Sequence, residues 1–303
     1  MNQNWTTDNI PDLSNKTIIV TGSNSGLGLQ AVKALVCKNA KVIMACRNTD
    51  KGEQAKQVLA GEISVENIHV RQLDLMDLSS VKIFADAFKH ENSRLDILIN
   101  NAGIMMTPYL LTKDGFESQI GTNHLGHFAL TTHLMDVLRV TPDSRVVNVS
   151  SLAHKGGKIY FSNLNFADGK GYSPLKAYSQ SKLANLLFSL GLQTYFEKSK
   201  IDCKVMTAHP GVSDTNLFNN SAWVKSVKPL FSGVFQPASM GALPELRAAT
   251  DPMAKSGDFF GPNGTMEIKG YPVLVKATKA ACNAESARQL WEISEKLTKV
   301  KFE

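Results

Sequence analysis

Tyr178 and Lys182 are four residues apart in a segment where the apolar spacing predicts a helix over residues 175–195. Their side chains are expected to project from the same helix face, one turn apart. A phenol has an ordinary pKa of about 10 and transfers protons poorly at neutral pH, but a nearby ammonium favours its ionised form and lowers that pKa. The pair therefore predicts proton transfer to or from an alcohol or carbonyl oxygen.

Tyr172 and Lys176 show the same spacing. Pro174 lies between them, and a proline disfavours helical geometry in the residue that precedes it. Tyr172 is therefore expected to lie outside the helix, and we do not interpret this second pair as a proton-transfer site.

A glycine-rich segment follows the first predicted strand, residues 16–20, and precedes a helix that runs to about Cys37. Glycines let the backbone turn tightly and approach a pyrophosphate, whose negative charge is favoured at a helix start. The spacing is G-x-x-x-G-x-G and not G-x-G-x-x-G, so an ordinary glycine-rich turn remains an alternative. The residues of this loop expected to bind a dinucleotide are Gly22, Ser23, Asn24, Ser25, Gly26, Leu27 and Gly28.

Arg47 and Asn48 follow the second predicted strand, residues 41–46, about twenty residues past the last glycine of the loop. A carboxylate at this place binds the adenosine ribose hydroxyls and repels a 2′-phosphate, whereas a guanidinium attracts that phosphate. NADP(H) is therefore favoured over NAD(H) as the cofactor. The alternative is that Arg47 is a solvated strand end and that Asp50 binds the ribose.

Strands and helices alternate along most of the chain, which predicts an α/β fold with a doubly wound parallel sheet of about seven strands. The further strands are expected at residues 68–73, 95–100, 145–150, 201–208 and 257–261, and the further helices at about 49–59, 80–89, 123–138 and 284–299. Ligands bind such sheets at the carboxyl ends of the strands. The candidate cofactor-binding residues at those ends are Asp74, Leu75, Asn101, Ala102, Gly103, Pro210, Gly211, Val212 and Thr215.

Two of the residues at strand ends have specific candidate roles. Asp74 is expected to accept the adenine amino group, or alternatively to cap the following helix. Ser151 carries a hydroxyl that can donate to a developing alkoxide oxygen, although a serine at a strand end is often only a turn residue. The turn that contains Pro210 and Gly211 is suited to hold a carboxamide through its backbone.

The 303 residues show no convincing linker, so we expect a polar arm over residues 1–15 and a single domain over residues 16–303. Residues 155–174 are polar and contain glycines, which suggests a long loop over the pocket. Residues 217–256 are apolar but interrupted by Pro229, Gly233 and Pro237. This pattern fits short helices that form a substrate lid, and plain core packing fits equally well.

Composition excludes several classes of function. The net charge of +6 comes from scattered Lys and Arg, which argues against nucleic-acid binding and suits an anionic cofactor. The four cysteines lack C-x-x-C spacing, and the histidines form no convincing ligand set, so neither a disulfide framework nor a metal site is expected. These histidines are His124, His127, His133 and His154.

A cytoplasmic protein without a membrane span is expected, because residues 1–13 are polar and no segment supplies the roughly 20 apolar residues that a spanning helix needs.

The predicted helix over residues 175–195 is apolar on more than one face. This fits burial in a homodimer or homotetramer, although the sheet and a neighbouring helix are an alternative cover.

Taken together, the motifs resemble the short-chain dehydrogenase/reductase family from about residue 16 to residue 215. The matching segments, in order, are Thr21-Gly22-x-x-x-Gly26-x-Gly28, Asp74, Asn100-Asn101-Ala102-Gly103, Asn123, Ser151, Tyr178-x-x-x-Lys182 and Pro210-Gly211 with Thr215. The resemblance implies that Tyr178 is the general acid or base and that Ser151 fixes the substrate oxygen. It also implies that Lys182 lowers the pKa of Tyr178 and holds the nicotinamide ribose, and that Asn123 anchors a water.

Ser151 is preferred to Ser150 only by matching the family pattern, since strand alternation says that one of the two faces the site. The interval of 27 residues between Ser151 and Tyr178 is longer than in most family members. It makes the chain similar to the retinol-dehydrogenase-like and WW-domain-oxidoreductase-like branch, as do the segments Ala45-Cys46-Arg47-Asn48, Asn123-His124-Leu125-Gly126-His127-Phe128 and Ser179-Gln180-Ser181-Lys182-Leu183-Ala184-Asn185.

The expected function is hydride transfer between C4 of NADP(H) and a carbonyl or alcohol carbon of an apolar small molecule. A catalytically silent sensor or scaffold that binds NADP(H) is the alternative.

Overall fold

A single eight-stranded sheet organises the computed structural model, which describes residues 4–213 and 235–302. The strand order is β3-β2-β1-β4-β5-β6-β7-β8; all neighbours are parallel except β7 and β8. The strands are β1 Thr17–Thr21, β2 Lys41–Cys46, β3 Ile68–Gln72, β4 Ile97–Asn100, β5 Ser144–Val149, β6 Cys203–Ala208, β7 Phe259–Pro262 and β8 Pro272–Leu274. The predicted doubly wound α/β fold is confirmed, with the short antiparallel edge strand β8 added.

Helices cover both faces of this sheet. They are α1 Gly26–Val36, α2 Thr49–Ala60, α3 Leu78–Glu91, α4 Ser118–Ile120, α5 Gly126–His133, α6 Met135–Val140, α7 Pro174–Ser199, α8 Ala238–Gly241, α9 Leu243–Thr250 and α10 Ala284–Thr298. Residues of α1, α2 and α9 share one core with the sheet, and residues of α3, α5 and α7 share the other. Because each central strand is buried on both sides, its sequence reads as a continuous apolar run.

The helix predicted over residues 123–138 differs in the structure. It begins at Ser118, passes through a π-helical segment at Gly121–Leu125, and breaks at Leu134 before α6. Glu117 fixes the early start, because its carboxylate accepts hydrogen bonds from the backbone N–H groups of Gln119 and Ile120. Residues 117–130 are all buried, so they lack the polar stripe that marks the start of an amphipathic helix.

Helix α7 carries Tyr178 and Lys182 and begins at Pro174, where a proline is well tolerated. Tyr172 lies outside the helix, as expected, and its hydroxyl donates to the carbonyl of Thr107 at 2.6 Å. The structure therefore supports the choice of Tyr178 and Lys182 as the pair on one helix face.

The second apolar face of α7 is covered by the same chain. Helix α10 packs on it, and a Cβ added to Gly191 would lie 2.7 Å from the Trp291 ring. Phe302 stacks on Trp291, with ring centroids 4.4 Å apart. A neighbouring helix thus accounts for the burial that suggested a partner subunit.

The segment expected to form a lid is only partly described. Residues 217–234 of it lie outside the described residues. The described part contains α8 and α9, where Leu243, Leu246 and Ala249 are buried in the core that α1 shares with the sheet. These residues follow the core-packing alternative, and the lid over residues 217–256 stays a prediction. Within the described ranges, none of the helices combines the length and apolar composition needed to cross a bilayer.

Candidate active site

A cleft opens at the carboxyl edge of the sheet and extends from Arg47, past the glycine loop, to Tyr178 and Lys182. The predicted cofactor residues that line it are Gly22, Asn24, Ser25, Gly26, Leu27, Gly28, Arg47, Asp74, Leu75, Asn101, Ala102, Gly103, Tyr178, Lys182 and Pro210. The topology thus brings the ends of the six strands β1 to β6 and the start of α1 to one elongated site.

Some predicted cofactor residues do not line this cleft. Ser23 is fully buried beneath the loop, and Asn48 caps α2 by accepting a hydrogen bond from the Lys51 N–H at 2.8 Å. Gly211 and Val212 lie just behind Pro210, while Thr215 lies outside the described residues.

The glycine loop has the shape that a dinucleotide requires. Gly22 has a φ of +64°, and a Cβ there would lie 2.8 Å from the Cα of Ala102. A Cβ at Gly28 would lie 2.6 Å from the side-chain nitrogen of Asn101, which donates to the Thr21 carbonyl at 2.7 Å. Ser25 precedes α1 without capping it through its side chain, so the first-turn N–H groups face the cleft and suit a pyrophosphate.

Arg47 is exposed at the adenosine end of the cleft, where its guanidinium lies 3.8 Å from the sulfur of Met76. It forms no ion pair within the described chain, which leaves its charge for a ligand anion. Asp50 does not line the cleft. Asp74 also does not cap α3, because Asp77 does so by accepting hydrogen bonds from the N–H groups of Ser79 and Ser80.

Two neighbouring serines at the end of β5 have different partners. The hydroxyl of Ser150 is buried and donates to the Lys182 carbonyl at 2.8 Å. The hydroxyl of Ser151 accepts from the Ala153 N–H at 3.2 Å and lies near enough to Tyr178 to lower the pKa of that phenol. Ser150 lines the cleft but its hydroxyl is engaged by Lys182, whereas Ser151 acts on the pKa of Tyr178, so Ser151 stays the predicted donor to the substrate oxygen.

Burial and neighbouring polar groups set the environment of Tyr178. Burial raises the pKa of this phenol, and Ser151 opposes that rise. Burial also lowers the pKa of Lys182 to about 8, with the Glu245 carboxyl acting in the opposite direction. The Lys182 ammonium donates to the Val149 carbonyl at 3.1 Å and lies over the Tyr178 ring, not at its hydroxyl. The pKa of Tyr178 thus responds here to burial and to Ser151, and the effect of Lys182 on it stays a prediction.

Asn123 lies in the π-helical segment beside Lys182. Its side chain pairs with the backbone of Ile104, accepting from the N–H at 2.8 Å and donating to the carbonyl at 3.0 Å. It also donates to the Ser181 hydroxyl at 2.8 Å. A Cβ at Gly103 would lie 3.3 Å from both the Asn123 amide oxygen and the Lys182 nitrogen, so Asn123 borders the site. Its side-chain hydrogen bonds hold the loop after β4 against α7.

The buried histidines make ordinary hydrogen bonds. His124 pairs with Ser294, His127 with Thr21, and His154 with the carbonyl of Ser151. Within residues 4–213 and 235–302, no group of three His, Cys, Asp or Glu side chains is arranged to hold a metal ion.

Sequence reasoning missed Glu245. It lies on α9, is 2% exposed, and neither of its carboxylate oxygens has a hydrogen-bond partner in the described chain. Burial raises its pKa to about 8, with Lys182 acting in the opposite direction. The available signal was one acidic residue within the otherwise largely apolar stretch Ala242-Leu243-Pro244-Glu245-Leu246.

Comparisons with known proteins point to one family. The family model described as short chain dehydrogenase matches residues 16–224. Retinol dehydrogenase 12 of Mus musculus is 38% identical over 290 residues, covering 95% of this chain and 88% of that protein. Retinol dehydrogenase 14 of Homo sapiens is 39% identical over 299 residues, covering 92% and 85%. A crystal structure of an uncharacterized protein from Mycobacterium paratuberculosis is 44% identical, with a TM-score of 0.83 and coverage of 99% of this chain and 100% of that chain.

Proposed function

We propose a function from one premise: this chain belongs to the retinol-dehydrogenase-like branch of the short-chain dehydrogenase family. The proposed function is the transfer of a hydride between NADP(H) and a carbonyl or alcohol carbon of an apolar small molecule. The observation that carries the proposal is the single cleft in which the glycine loop, Tyr178 and Lys182 meet.

The residues that would hold the cofactor are distributed along the cleft. The loop from Gly22 to Gly28 suits its pyrophosphate, Arg47 its 2′-phosphate, and Lys182 its nicotinamide ribose. A bound nicotinamide supplies or accepts the hydride. Because Arg47 has no carboxylate partner in the described chain, its charge supports NADP(H) over NAD(H).

Tyr178 would supply the proton in reduction and accept it in oxidation. Burial raises the pKa of its phenol, so the free protein holds Tyr178 protonated at neutral pH, which is the form that donates to a carbonyl oxygen. The Ser151 hydroxyl would donate a second hydrogen bond to the same oxygen and stabilise the negative charge that develops there. These two donors define where the reacting carbonyl lies.

An apolar substrate is supported by Ile104, which lines the cleft next to Gly103, and by Met105 and Met106, which follow it in the loop after β4. The relatives bear the name retinol dehydrogenase, so retinal is a suitable member of a substrate panel. The α7 face that suggested a homodimer or homotetramer is covered by α10 and Phe302, and the oligomeric state stays a prediction that light scattering measures.

The test is NADPH oxidation with a panel of aldehydes, ketones and quinones of increasing apolar size, including retinal. Turnover of at least one apolar carbonyl compound is expected, with NADPH preferred to NADH. Absence of turnover across the panel, combined with tight NADPH binding measured by fluorescence, would favour the silent binding protein instead.

A further inference from the structure

His209 follows β6 and is fully buried beside the cleft. Its ring packs edge-on against Phe259, with centroids 5.3 Å apart, and a Cβ on Gly261 would collide with it. The Gly211 N–H donates to Nδ1 of His209 at 3.2 Å, so the proton of the neutral ring lies on Nε2. That Nε2–H donates to the Glu267 carboxylate at 2.9 Å.

Glu267 is held in an unfavourable backbone conformation. Met266 and Glu267 have φ values of +55° and +60°, which cost a residue other than glycine free energy. In this conformation Oε2 of Glu267 accepts from His209, and Oε1 forms an ion pair with the Lys155 ammonium at 3.0 Å. Strain of this kind persists only where surrounding contacts enforce it, and it is frequent at functional sites.

Lys155 belongs to the short helix Leu152–Gly156, which Ser151 caps. The chain of contacts Lys155, Glu267, His209 and Gly211 therefore connects the Ser151 turn to the turn after β6. We call these four residues the Glu267 bracket. It adjoins the cleft through Pro210, which lines the cleft together with Tyr178 and Lys182.

Other hydrogen bonds hold neighbouring parts of the same turn but not Gly211. The Pro210 carbonyl accepts from Ser213 and from Gln236, both at 2.8 Å, and the Val212 N–H donates to the Ile268 carbonyl at 2.8 Å. In the described chain the Gly211 N–H is held by His209 alone. The peptide that joins Pro210 to Gly211 is therefore held on its carbonyl side by Ser213 and Gln236 and on its N–H side by the imidazole, which Glu267 orients.

We propose that Lys155, Glu267 and His209 are positioning residues that fix the turn of Pro210 and Gly211 at a set distance from Ser151 and Tyr178, and so align the nicotinamide end of the bound cofactor for hydride transfer. This inference rests on the proposed function. A misplacement of about 1 Å in a reacting group can cost about a hundredfold in rate.

The protonation state of His209 is compatible with this role. Burial lowers its pKa to about 4, Glu267 opposes that shift, and His154 and Lys155 add to it. The imidazole therefore stays neutral from pH 5 upward, and Nδ1 remains an acceptor for Gly211 across the physiological range.

The test compares Glu267→Ala and Glu267→Gln, with Lys158→Ala as the matched control. Lys158 lies in the same loop as Lys155, but its ammonium lies over the Tyr160 ring, 5.8 Å from the centroid, and not at Glu267. For Glu267→Ala, kcat is expected to fall at least tenfold while the Kd for NADPH stays within about threefold, because the pyrophosphate and 2′-phosphate contacts persist. Glu267→Gln keeps an acceptor for the His209 Nε2–H and is expected to recover most of kcat, and Lys158→Ala is expected to match the parent.

Nitrogen-15 NMR supplies a readout that needs no turnover. In the parent protein the His209 imidazole is expected to stay neutral in the Nε2–H tautomer down to pH 5, and addition of NADP+ is expected to shift the Gly211 amide resonance. In Glu267→Ala the tautomer preference is expected to be lost and the shift of the Gly211 amide to change.

Three results would overturn the proposal. They are a kcat of Glu267→Ala within twofold of the parent, an equal loss of kcat in the glutamine and alanine variants, and a Gly211 amide that does not respond to NADP+. A parent protein that binds NADP+ and shifts Gly211 without turning over any carbonyl would instead contradict the proposed reaction and leave the Glu267 bracket supported.

Discussion

The Lys182 ammonium lies 5.9 Å from the centroid of the Tyr178 ring and donates its hydrogen bond to the Val149 carbonyl. The two side chains share a helix face, yet the cation does not reach the phenol oxygen. Burial raises the pKa of that phenol, and Ser151 opposes the rise. In the proposed mechanism, proton transfer by Tyr178 would therefore depend first on Ser151 and on burial, and Lys182 would remain available to the cofactor ribose.

Tyr178→Phe is expected to lower kcat by two or more orders of magnitude and to leave NADPH binding nearly intact, because only the transition-state proton donor is removed. Tyr172→Phe is the matched control. Its hydroxyl bonds Thr107 outside the cleft, so we expect kcat near that of the parent and a loss of about 1 kcal/mol in stability. Steady-state kinetics and fluorescence titration measure both, and an unchanged kcat for Tyr178→Phe would refute the assigned role.

Lys182→Ala is expected to lower both kcat and the affinity for NADPH, each by at least about tenfold, since a buried cation that faces the cofactor site is removed. Lys176→Ala, an exposed position in the first turn of the same helix, is the control. Rapid-mixing kinetics and binding titration separate the two effects. A variant with neither defect would count against any role of Lys182 in the site.

Ser151→Ala and Ser150→Ala distinguish the two serines. Ser151→Ala removes a donor to the reacting oxygen and is expected to lower kcat at least tenfold without weakening NADPH binding. Ser150→Ala removes the hydrogen bond to the Lys182 carbonyl and is expected to cost about 1 kcal/mol of stability, with a smaller effect on kcat. Thermal unfolding and steady-state kinetics report the two quantities; a larger kcat loss in Ser150→Ala would reverse the assignment.

Much of the fold was predictable because a parallel sheet leaves a strong pattern. Strands such as Ile18-Ile19-Val20 are buried on both faces, with Ile18 and Val20 in one core and Ile19 in the other, and each is followed by a helix. The start of the helix before Asn123 was not predictable in the same way. Residues 118–122 are buried on all sides, so the spacing of apolar residues does not mark where the helix starts. The helix starts where the Glu117 carboxylate accepts a hydrogen bond from the Gln119 N–H.

The types and order of the site residues were also readable from the sequence, but their hydrogen bonds were not. Alternation along β5 states that one of Ser150 and Ser151 faces the cleft, and only the turn after the strand decides which. Glu245 was not predicted because charged residues are usually exposed, and its burial depends on where α9 packs against the sheet.

Arg47→Ala is expected to lower kcat/KM for NADPH by ten- to a hundredfold and to change kcat/KM for NADH little, since charge-assisted hydrogen bonds to a phosphate contribute about 1.5–3 kcal/mol. Arg288→Ala, which removes an arginine of α10 that pairs with Glu285 and Glu292, controls for the loss of one positive charge. Initial rates with both cofactors decide the matter. A parent preference for NADH that persists in Arg47→Ala would rule out the phosphate contact.

Glu245→Gln is expected to change the pH dependence of stability. The unfolded chain releases the Glu245 proton near pH 4.5, whereas the folded protein holds it to about pH 8 because the carboxyl is buried without a partner. Between these values the folded state binds more protons than the unfolded state, so stability falls as the pH rises. At pH 7 this effect amounts to about 3 kcal/mol.

Glutamine stays neutral and removes the proton linkage, although its buried amide carries a desolvation cost that does not depend on pH. The free energy of unfolding of Glu245→Gln minus that of the parent is therefore expected to increase from pH 5 to pH 8, whatever its value at pH 5. Glu66→Gln, at an exposed position, is the matched control. Calorimetry at pH 5, 6, 7 and 8 measures the slope, and a difference that stays constant over this range would show that Glu245 is not the buried, proton-holding carboxyl that the structure describes.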